Sequence, residues 1–362
     1  MAVIAAQAAI QSFRDVLDPG LRRDDGYETF YEAVKGDYKM FVLGLQGSPR
    51  KKGNTNFLLS AFLDEMKTRG AETLAIHVPD KNIKPCIGCT NCEKKGVCSI
   101  KDDDMTKEIF GLLRRADVVV AATPIYFYNA TAQLKVLIDR SQTLWSRKYK
   151  LGLTDPGRPD RKGILLAVGA TRGKNLFEGM ILTAKYFFDA IGADFHGKLT
   201  YRRIEDFGDM EKHETVMEDI KKEVDRLVPF LTRKKILFAC RENAGRSQMA
   251  RAFVQYHAGG KIDALSAGTR PAEKINPVME EAMRESGIDV AFRVPRSIDD
   301  VVAQTQPEMI ITMGCGEECP FIPGVEYEDW DVADPSGQPI EFVRDVRDEI
   351  EKKVKHLIDS QG

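Results

Sequence analysis

The chain has 362 residues, a length for two domains or three, and its 43% hydrophobic and 30% charged residues suit a globular protein with ample core. Lysine and arginine total 53 against 55 acidic residues, a formal net charge of −2, which argues against nucleic acid or an anionic membrane surface as a partner. No apolar run approaches the roughly 18 residues that span a bilayer, and the opening MAVIAAQAAI lacks a basic start and a cleavage site, so a cytoplasmic protein is expected.

Residues 1–38 combine a weakly helical stretch with the turn-forming DPGLRRDDG, and are expected to be an extension that packs loosely; a dimerisation arm is the sharper alternative. From Lys39 the pattern changes. KMFVLGL predicts a buried strand and NTNFLLSAFLDEMKTRG a helix with Gly70 past its end. TLAIHV (strand), a cysteine-rich loop, MTKEIFGLLRRA (helix) and DVVVAATP (strand) follow. Next come TAQLKVLIDRSQTLW (helix), KGILLAVGA (strand) and FEGMILTAKYFFDAIG (helix). ADFHGKLTY is a fifth strand, and EKHETVMEDIKKEVDRLVPFL a closing helix. After a short junction near TRKK a second cycle runs through KILFAC, SQMARAFVQYHAG, KIDALSAGT, NPVMEEAMRESGI, EMIITMGC and a long final helix. Continuously apolar strands alternating with amphipathic helices predict an α/β chain of two open parallel-sheet domains, at 39–231 and 234–362. Ligands on such sheets bind at the carboxyl ends of strands, which directs attention to the loops after Leu45, Ala122 and Val168.

The seven cysteines fall into two groups: Cys86, Cys89, Cys92 and Cys98, then Cys240, Cys315 and Cys319. An odd number with no secretion signal predicts metal or redox chemistry over structural disulfides. Cys240 ends an apolar strand and opens the loop CRENAGRS. Backbone N–H groups of Arg241 to Arg246 can converge there on a tetrahedral anion, aided by the start of the next helix. Arg246 adds a bidentate fork, the same positive field favours a thiolate at Cys240, and Asn243 and Gly245 tolerate left-handed backbone.

CRENAGRSQMARAF, SAGT, ITMGCGEECP and YEDWDVADPSGQPIEFVRDVRDEI resemble the arsenate reductases built on the low-molecular-weight tyrosine phosphatase fold, over about residues 234–360. The resemblance implies a smaller four-stranded domain in which Cys240 is the nucleophile and Arg246 and Ser247, with Asn243, serve the anion loop. Asp334 is implied as the acid that protonates the leaving oxygen. Cys315 and Cys319, four residues apart, are expected to relay the oxidation: Cys315 attacks Cys240, arsenite leaves, and Cys319 resolves the bond into a Cys315–Cys319 disulfide. Thioredoxin-coupled reductases usually space these two more widely, so the members of the relay are firmer than their order. Ser336 stands where phosphatases commonly carry an aromatic residue, which favours a small inorganic substrate. The alternatives are a structural or zinc pair, and a tyrosine phosphatase with a redox switch.

In the first domain, GLQGSPRKKGNTNFLL opens a helix, with Gly47 and Gly53 for curvature and Ser48, Arg50, Asn54 and Thr55 for a phosphate. It is neither the lysine-containing triphosphate loop nor GxGxxG. Together with TPIYF and GATRG it resembles the flavodoxin-like NAD(P)H-dependent FMN reductases, over about residues 39–230. That implies a five-stranded flavodoxin-like domain, FMN phosphate on Ser48, Arg50, Asn54 and Thr55, and a flavin ring near Pro124, Ile125, Tyr126, Phe127, Gly169 and Thr171. CIGCTNCEKKGVC resembles the compact motif of iron–sulfur flavoproteins. A [4Fe–4S] cluster on Cys86, Cys89, Cys92 and Cys98 is one expectation, a zinc site or a set of uncoordinated thiols the others. The fusion suggests a self-contained arsenate reductase in which NAD(P)H reduces the Cys315–Cys319 disulfide through the flavin domain, directly or by way of the cluster. Thioredoxin as the reductant, or a flavin-bearing sensor without turnover, are the competing readings. Flavodoxin-like reductases often dimerise, so a homodimer is expected by analogy.

Overall fold

A computed structural model describes residues 40–157, 161–231, 233–304, 306–314, 319 and 321–360. The expected N-terminal extension and Cys315 lie outside the described residues.

Five parallel strands form the first sheet: β1 (Phe41–Gln46), β2 (Glu72–His77), β3 (Val118–Pro124), β4 (Lys162–Gly169) and β5 (Asp194–Arg202), in the order β2-β1-β3-β4-β5. This is the flavodoxin order, whose topological switch lies between β1 and β3. β1 and β4 are buried along their whole length, as their unbroken apolar runs demand, while β5, at the edge, is partly exposed. Alternate residues serve opposite faces. Leu43, Leu45, Val119, Ala121, Leu165 and Ala167 point into one core. Val42, Val118, Val120, Ile164, Leu166 and Val168 point into the other. The first core is closed by α3 (Phe110–Arg115), α4 (Ala132–Arg140) and α6 (Glu178–Ala190), the second by α1 (Asn54–Thr68) and α7 (Val216–Asp225). A short helix α2 (Asn91–Lys95) sits inside the cysteine loop.

Two predicted helices are shorter than their periodicity implies. The run at 131–145 divides at Ser141, whose hydroxyl donates to Leu137 O at 3.1 Å; α5 (Gln142–Tyr149) then starts afresh. Such back-bonding bends a helix. The run at 211–231 is helical only over α7, with a separate 3-10 turn at Val228–Leu231 that contains Pro229.

The second sheet has four parallel strands, β6 (Lys234–Cys240), β7 (Ile262–Gly268), β8 (Met309–Thr312) and β9 (Glu326–Asp329), in the order β7-β6-β8-β9. Helices α8 (Arg246–Ala258), α9 (Pro277–Glu285) and α11 (Ile340–Ser360) cover one face over Ile236, Phe238, Met309 and Ile311. Helix α10 (Ile298–Gln304) covers the other over Leu237, Ala239, Leu265 and Ile310. β6 and β8 are parallel neighbours, so the loops after Cys240 and Thr312 leave the same edge of the sheet.

The two sheets are joined by more than the junction. Thr154 and Ile288 form a parallel bridge, with Thr154 N donating to Gly287 O at 2.6 Å and Asp289 N to Thr154 O at 2.8 Å. Buried Arg147 reaches Asp289 at 2.8 Å, and Arg114 donates to Asp289 O at 2.5 Å. Phe110 and Phe292 rings lie 5.1 Å apart. Nearby, burial first and the Asp117 carboxylate second push the Asp263 carboxyl up to about 7, against the pull of Arg233, Arg251 and Lys235. A carboxyl that holds its proton more tightly when folded stabilises the fold below its unfolded pKa of about 4 and loses that contribution as pH rises. Stability is therefore expected to decline between about pH 4 and pH 7. Asp263→Asn should flatten that slope in melting temperature, and an unchanged slope would remove Asp263 from the balance.

Candidate functional site

The chain leaves β6 at Cys240 and returns into α8 at Arg246, so seven residues span a tight loop at the switch of the second sheet. Its shape is set by close backbone packing. A Cβ at Gly268 would stand 2.7 Å from Arg241 O, and Asn243 adopts φ 51°, the left-handed region expected of it. Cys240 is only 3% exposed. Its Sγ lies 3.0 Å from Ser247 Oγ, and that oxygen accepts a hydrogen bond from Asn243 Nδ2 at 2.8 Å. Asn243 and Cys240 thus both meet the Ser247 hydroxyl, which fixes the thiol's position at the start of the loop. Asn243 is held the right way round because its Oδ1 accepts from Arg296 N at 2.9 Å and Gln248 Nε2 at 3.1 Å. Neither Gln248 nor Arg296 carries a sequence signal for this role.

Arg246 is buried at the loop's end. It donates to Val332 O at 3.1 Å and pairs with Asp334 at 3.0 Å. Gly314, at φ 68°, lets the guanidinium pass: a Cβ there would meet Arg246 Nη1 at 2.6 Å. Asp334 is half-exposed and fixed by Ser336 N, which donates to its Oδ1 at 3.0 Å. Cys240, Arg246, Asn276, Asp334 and Ser336 line a small cavity of about 20 Å³. Its lining combines the thiol, a guanidinium and a carboxylate, the groups that a small anion would meet. Cys319 is half-buried and packs, like Ile322 and Tyr327, against the core beneath α10, on the sheet face opposite the cluster that holds Cys240.

In the first domain the structure gathers the other predicted residues at the carboxyl edge of three adjacent strands, β1, β3 and β4. After β1 the chain curls around Gln46, which accepts from Ser48 N at 2.6 Å and donates to Arg50 O at 3.2 Å. Ser48 Oγ accepts from Arg50 N, and Thr55 is buried at the start of α1. Thr131 ties this loop to α4, donating to Gly47 O at 2.5 Å while capping the helix at Leu134 N. Asn54 departs from its expected role. Its amide donates to Asp206 O at 2.8 Å and accepts from Met210 N at 3.1 Å, so it fastens the loop after β5. Pro124 and Ile125 leave β3 half-buried, with Ile125 N bonded to Val168 O at 2.8 Å. Tyr126 is exposed, and Phe127 and Tyr128 hold positive φ with Phe127 fully exposed at 101%. Buried Gly169 and exposed Thr171 complete the edge. An unsupported aromatic ring beside a hydroxyl-bearing loop fits a flat cofactor with a phosphate tail, as FMN has.

Beside it, Cys86, Cys89, Cys92 and Cys98 all line one cavity of about 790 Å³, shared with Trp145 and Tyr186. Among the described residues no three His, Cys, Asp or Glu side chains are arranged to hold a metal, so the thiols share a cavity without meeting at a point. Four thiolates are the donor type that an iron–sulfur cluster takes, and here they line a common cavity without converging. Cys89 is held below the ordinary thiol value, first by the Ser99 hydroxyl at 2.9 Å and then by the Asn91 N–H. Ser146 Oγ lies 3.4 Å from Cys92 Sγ. The base of the loop is clamped by an ion pair that sequence reasoning missed. Arg140 and Asp103, 1% and 0% exposed, bond each other, while Arg140 donates to Lys84 O at 2.7 Å and to Ile100 O at 3.4 Å.

The family model of NADPH-dependent FMN reductases matches residues 40–172, and that of low molecular weight phosphotyrosine protein phosphatases matches residues 235–361. An iron–sulfur flavoprotein of Methanocaldococcus jannaschii is 39% identical over 133 residues, 37% of this chain and 64% of that relative, so the chain spans less than two thirds of its length. A putative arsenate reductase of Halobacterium salinarum is 35% identical over 34% of this chain and 91% of the relative. A glutaredoxin arsenate reductase of Synechocystis is 34% identical over 34% of this chain and 96% of the relative. The chain belongs to both families: it joins a flavodoxin-like NADPH-dependent FMN reductase domain to a low-molecular-weight phosphatase domain, with iron–sulfur flavoproteins and arsenate reductases as relatives.

Proposed function

We propose that the protein is an oxidoreductase that converts arsenate to arsenite on Cys240, with NAD(P)H as the source of electrons. The observation that carries this reading is the Cys240 thiol at the floor of a small cavity, hydrogen-bonded to Ser247, with Arg246 and Asp334 at its rim. Cys240 attacks arsenic, and an arsenic–oxygen bond breaks with Asp334 as the proton donor. Cys315 then attacks Cys240 Sγ, and the electron pair of the sulfur–arsenic bond leaves with arsenite. Cys319 displaces Cys240, leaving a Cys315–Cys319 disulfide that two electrons and two protons restore. A phosphatase needs no second and third thiol.

Domains at 39–231 and 234–362 divide the work. Ser48, Arg50 and Thr55 would hold the FMN phosphate, with Ile125 to Phe127 and Gly169 to Thr171 around the ring. When bound, FMN supplies two-electron acceptance from NAD(P)H. Cys86, Cys89, Cys92 and Cys98 would hold a [4Fe–4S] cluster. A second reading, reduction by thioredoxin or a similar dithiol carrier, is favoured by one observation. The contact between domains involves the amino ends of β1 and β4, through Phe41 and Arg161, whereas the flavin edge is at the carboxyl ends. Six to eight strand residues separate the two, about 20 Å at roughly 3.3 Å per residue.

Anaerobic protein given FMN, NADPH and arsenate, without thioredoxin or glutathione, should oxidise NADPH only when arsenate is present. Oxidation that waits for thioredoxin and its reductase would assign the carrier instead. Cys319→Ser is expected to release about one arsenite per enzyme and stop, because Cys240 remains bonded to Cys315. Continued turnover in that variant would remove Cys319 from the relay.

A further inference from the structure

A second cavity, about 370 Å³, lies where the domains meet and shares no lining residue with the Cys240 cavity. Its walls carry more cations than the nearby acids neutralise. Arg115 is paired with Glu72 at 2.7 Å, and Arg114 and Arg161 with Asp155. Arg251 and Arg293 are different. Arg293 donates to two neutral acceptors, Gln255 Oε1 at 2.6 Å and Gln248 O at 3.4 Å. Burial first, then the Arg251 and Arg114 charges, push its guanidinium well below the usual value, with Asp155 and Asp289 only partly offsetting them. Arg251 Nε is shut off from solvent and has no hydrogen-bond partner. Its acidic neighbour Asp263 is itself pushed towards the neutral form. Ser266, 3% exposed, lines the same cavity and its hydroxyl also lacks a partner. Buried donors left unsatisfied cost stability, and cations crowded together cost more. A tetrahedral anion in the cavity would relieve the crowding of the two guanidinium groups.

We propose that this cleft binds a phosphate-bearing small molecule, with the phosphate on Arg251 and Arg293. The volume exceeds that of a bare phosphate and falls in the range of small-molecule pockets, about 300–1,000 Å³; Phe292 and Leu265 supply apolar wall for an organic remainder. The cleft is not a hydride-donor site, since it abuts the amino ends of the first sheet. It lies behind the oxyanion loop: Arg296 and Gln248, which orient Asn243, flank it.

The test is calorimetric titration of the full chain, saturated with FMN, using inorganic phosphate and AMP as probes, before and after alkylation of Cys240 with iodoacetamide. Alkylation should abolish binding at the catalytic loop and leave one site. At that site Arg293→Met should weaken binding by about tenfold or more, and Arg251→Lys by about threefold. Arg251→Lys keeps the charge and loses the fork, so it keeps the test informative should Arg293→Met fail to fold. AMP binding at least tenfold tighter than phosphate assigns a phosphate monoester as ligand; equal binding assigns the free oxyanion. Loss of all phosphate and AMP binding on alkylation, or a remaining site indifferent to both substitutions, would overturn the proposal.

Discussion

Cys240→Ser is expected to bring arsenate reduction to background, a loss on the order of 10⁴-fold or more, since removing a nucleophile disables the whole constellation. The substitution keeps the loop's N–H groups and Arg246, so binding of phosphate at the catalytic loop should change by less than about tenfold. The pair of measurements separates chemistry from binding. Arsenite production by Cys240→Ser at even a few per cent of the normal rate would assign the reduction to other thiols. The group of four in the first domain would then be the first candidates. The physical basis is that sulfur is intrinsically a far better nucleophile than a hydroxyl oxygen, so the serine variant keeps the shape of the loop without its attacking atom.

Arg140→Met is expected to be the most destabilising single change in the first domain. It leaves Asp103, fully buried, without its cation, and breaking a buried pair from one side costs about 3–5 kcal/mol. For a domain of this size that is a fall in melting temperature of about 6–20 °C. Burial alone would raise the Asp103 carboxyl, yet the bonds from Arg140 and from the Lys84 and Thr106 N–H groups hold it below the usual range. The stabilisation is present above the unfolded carboxylate pKa and is lost as pH falls through the lower folded value. Because the pair anchors Lys84 and Ile100, the two ends of the cysteine loop, Arg140→Met should also open that loop to proteases. The double variant Arg140→Met with Asp103→Leu is expected to recover most of the stability without the hydrogen bonds to the loop. A melting temperature within 2 °C of the parent for Arg140→Met alone would show that the pair is not the clamp described here.

The two α/β layers were legible because apolar strands of six to eight residues, punctuated by amphipathic helices, admit few other arrangements. β9, with the residues EYED, was not, since an exposed edge strand carries no apolar pattern. Nor were the breaks at Ser141 and Pro229, where a local hydrogen bond or a missing donor overrides periodicity. In the oxyanion loop, contiguity did the work: Cys240, Asn243, Arg246 and Ser247 lie within eight residues, so their meeting follows from a strand–loop–helix turn. Asp334 meets Arg246 across 88 positions, and only the resemblance to a family pointed to it. The Asn54 amide reads as a phosphate ligand from its position, but contacts 152 and 156 residues away claim both of its ends.

What the sequence determined by itself was therefore local: strand and helix identity, the loops at strand ends, the placing of Cys240 at the end of a strand and the grouping of the four cysteines. What only the tertiary structure decided was long-range: the Arg140–Asp103 clamp, the orientation of Asn243 by Arg296, and the arginine-lined cleft between domains. Backbone geometry and hydrophobic period are written in neighbouring residues. The partner of a buried charge is not, because it is chosen by which distant surfaces the packing of apolar faces brings into contact.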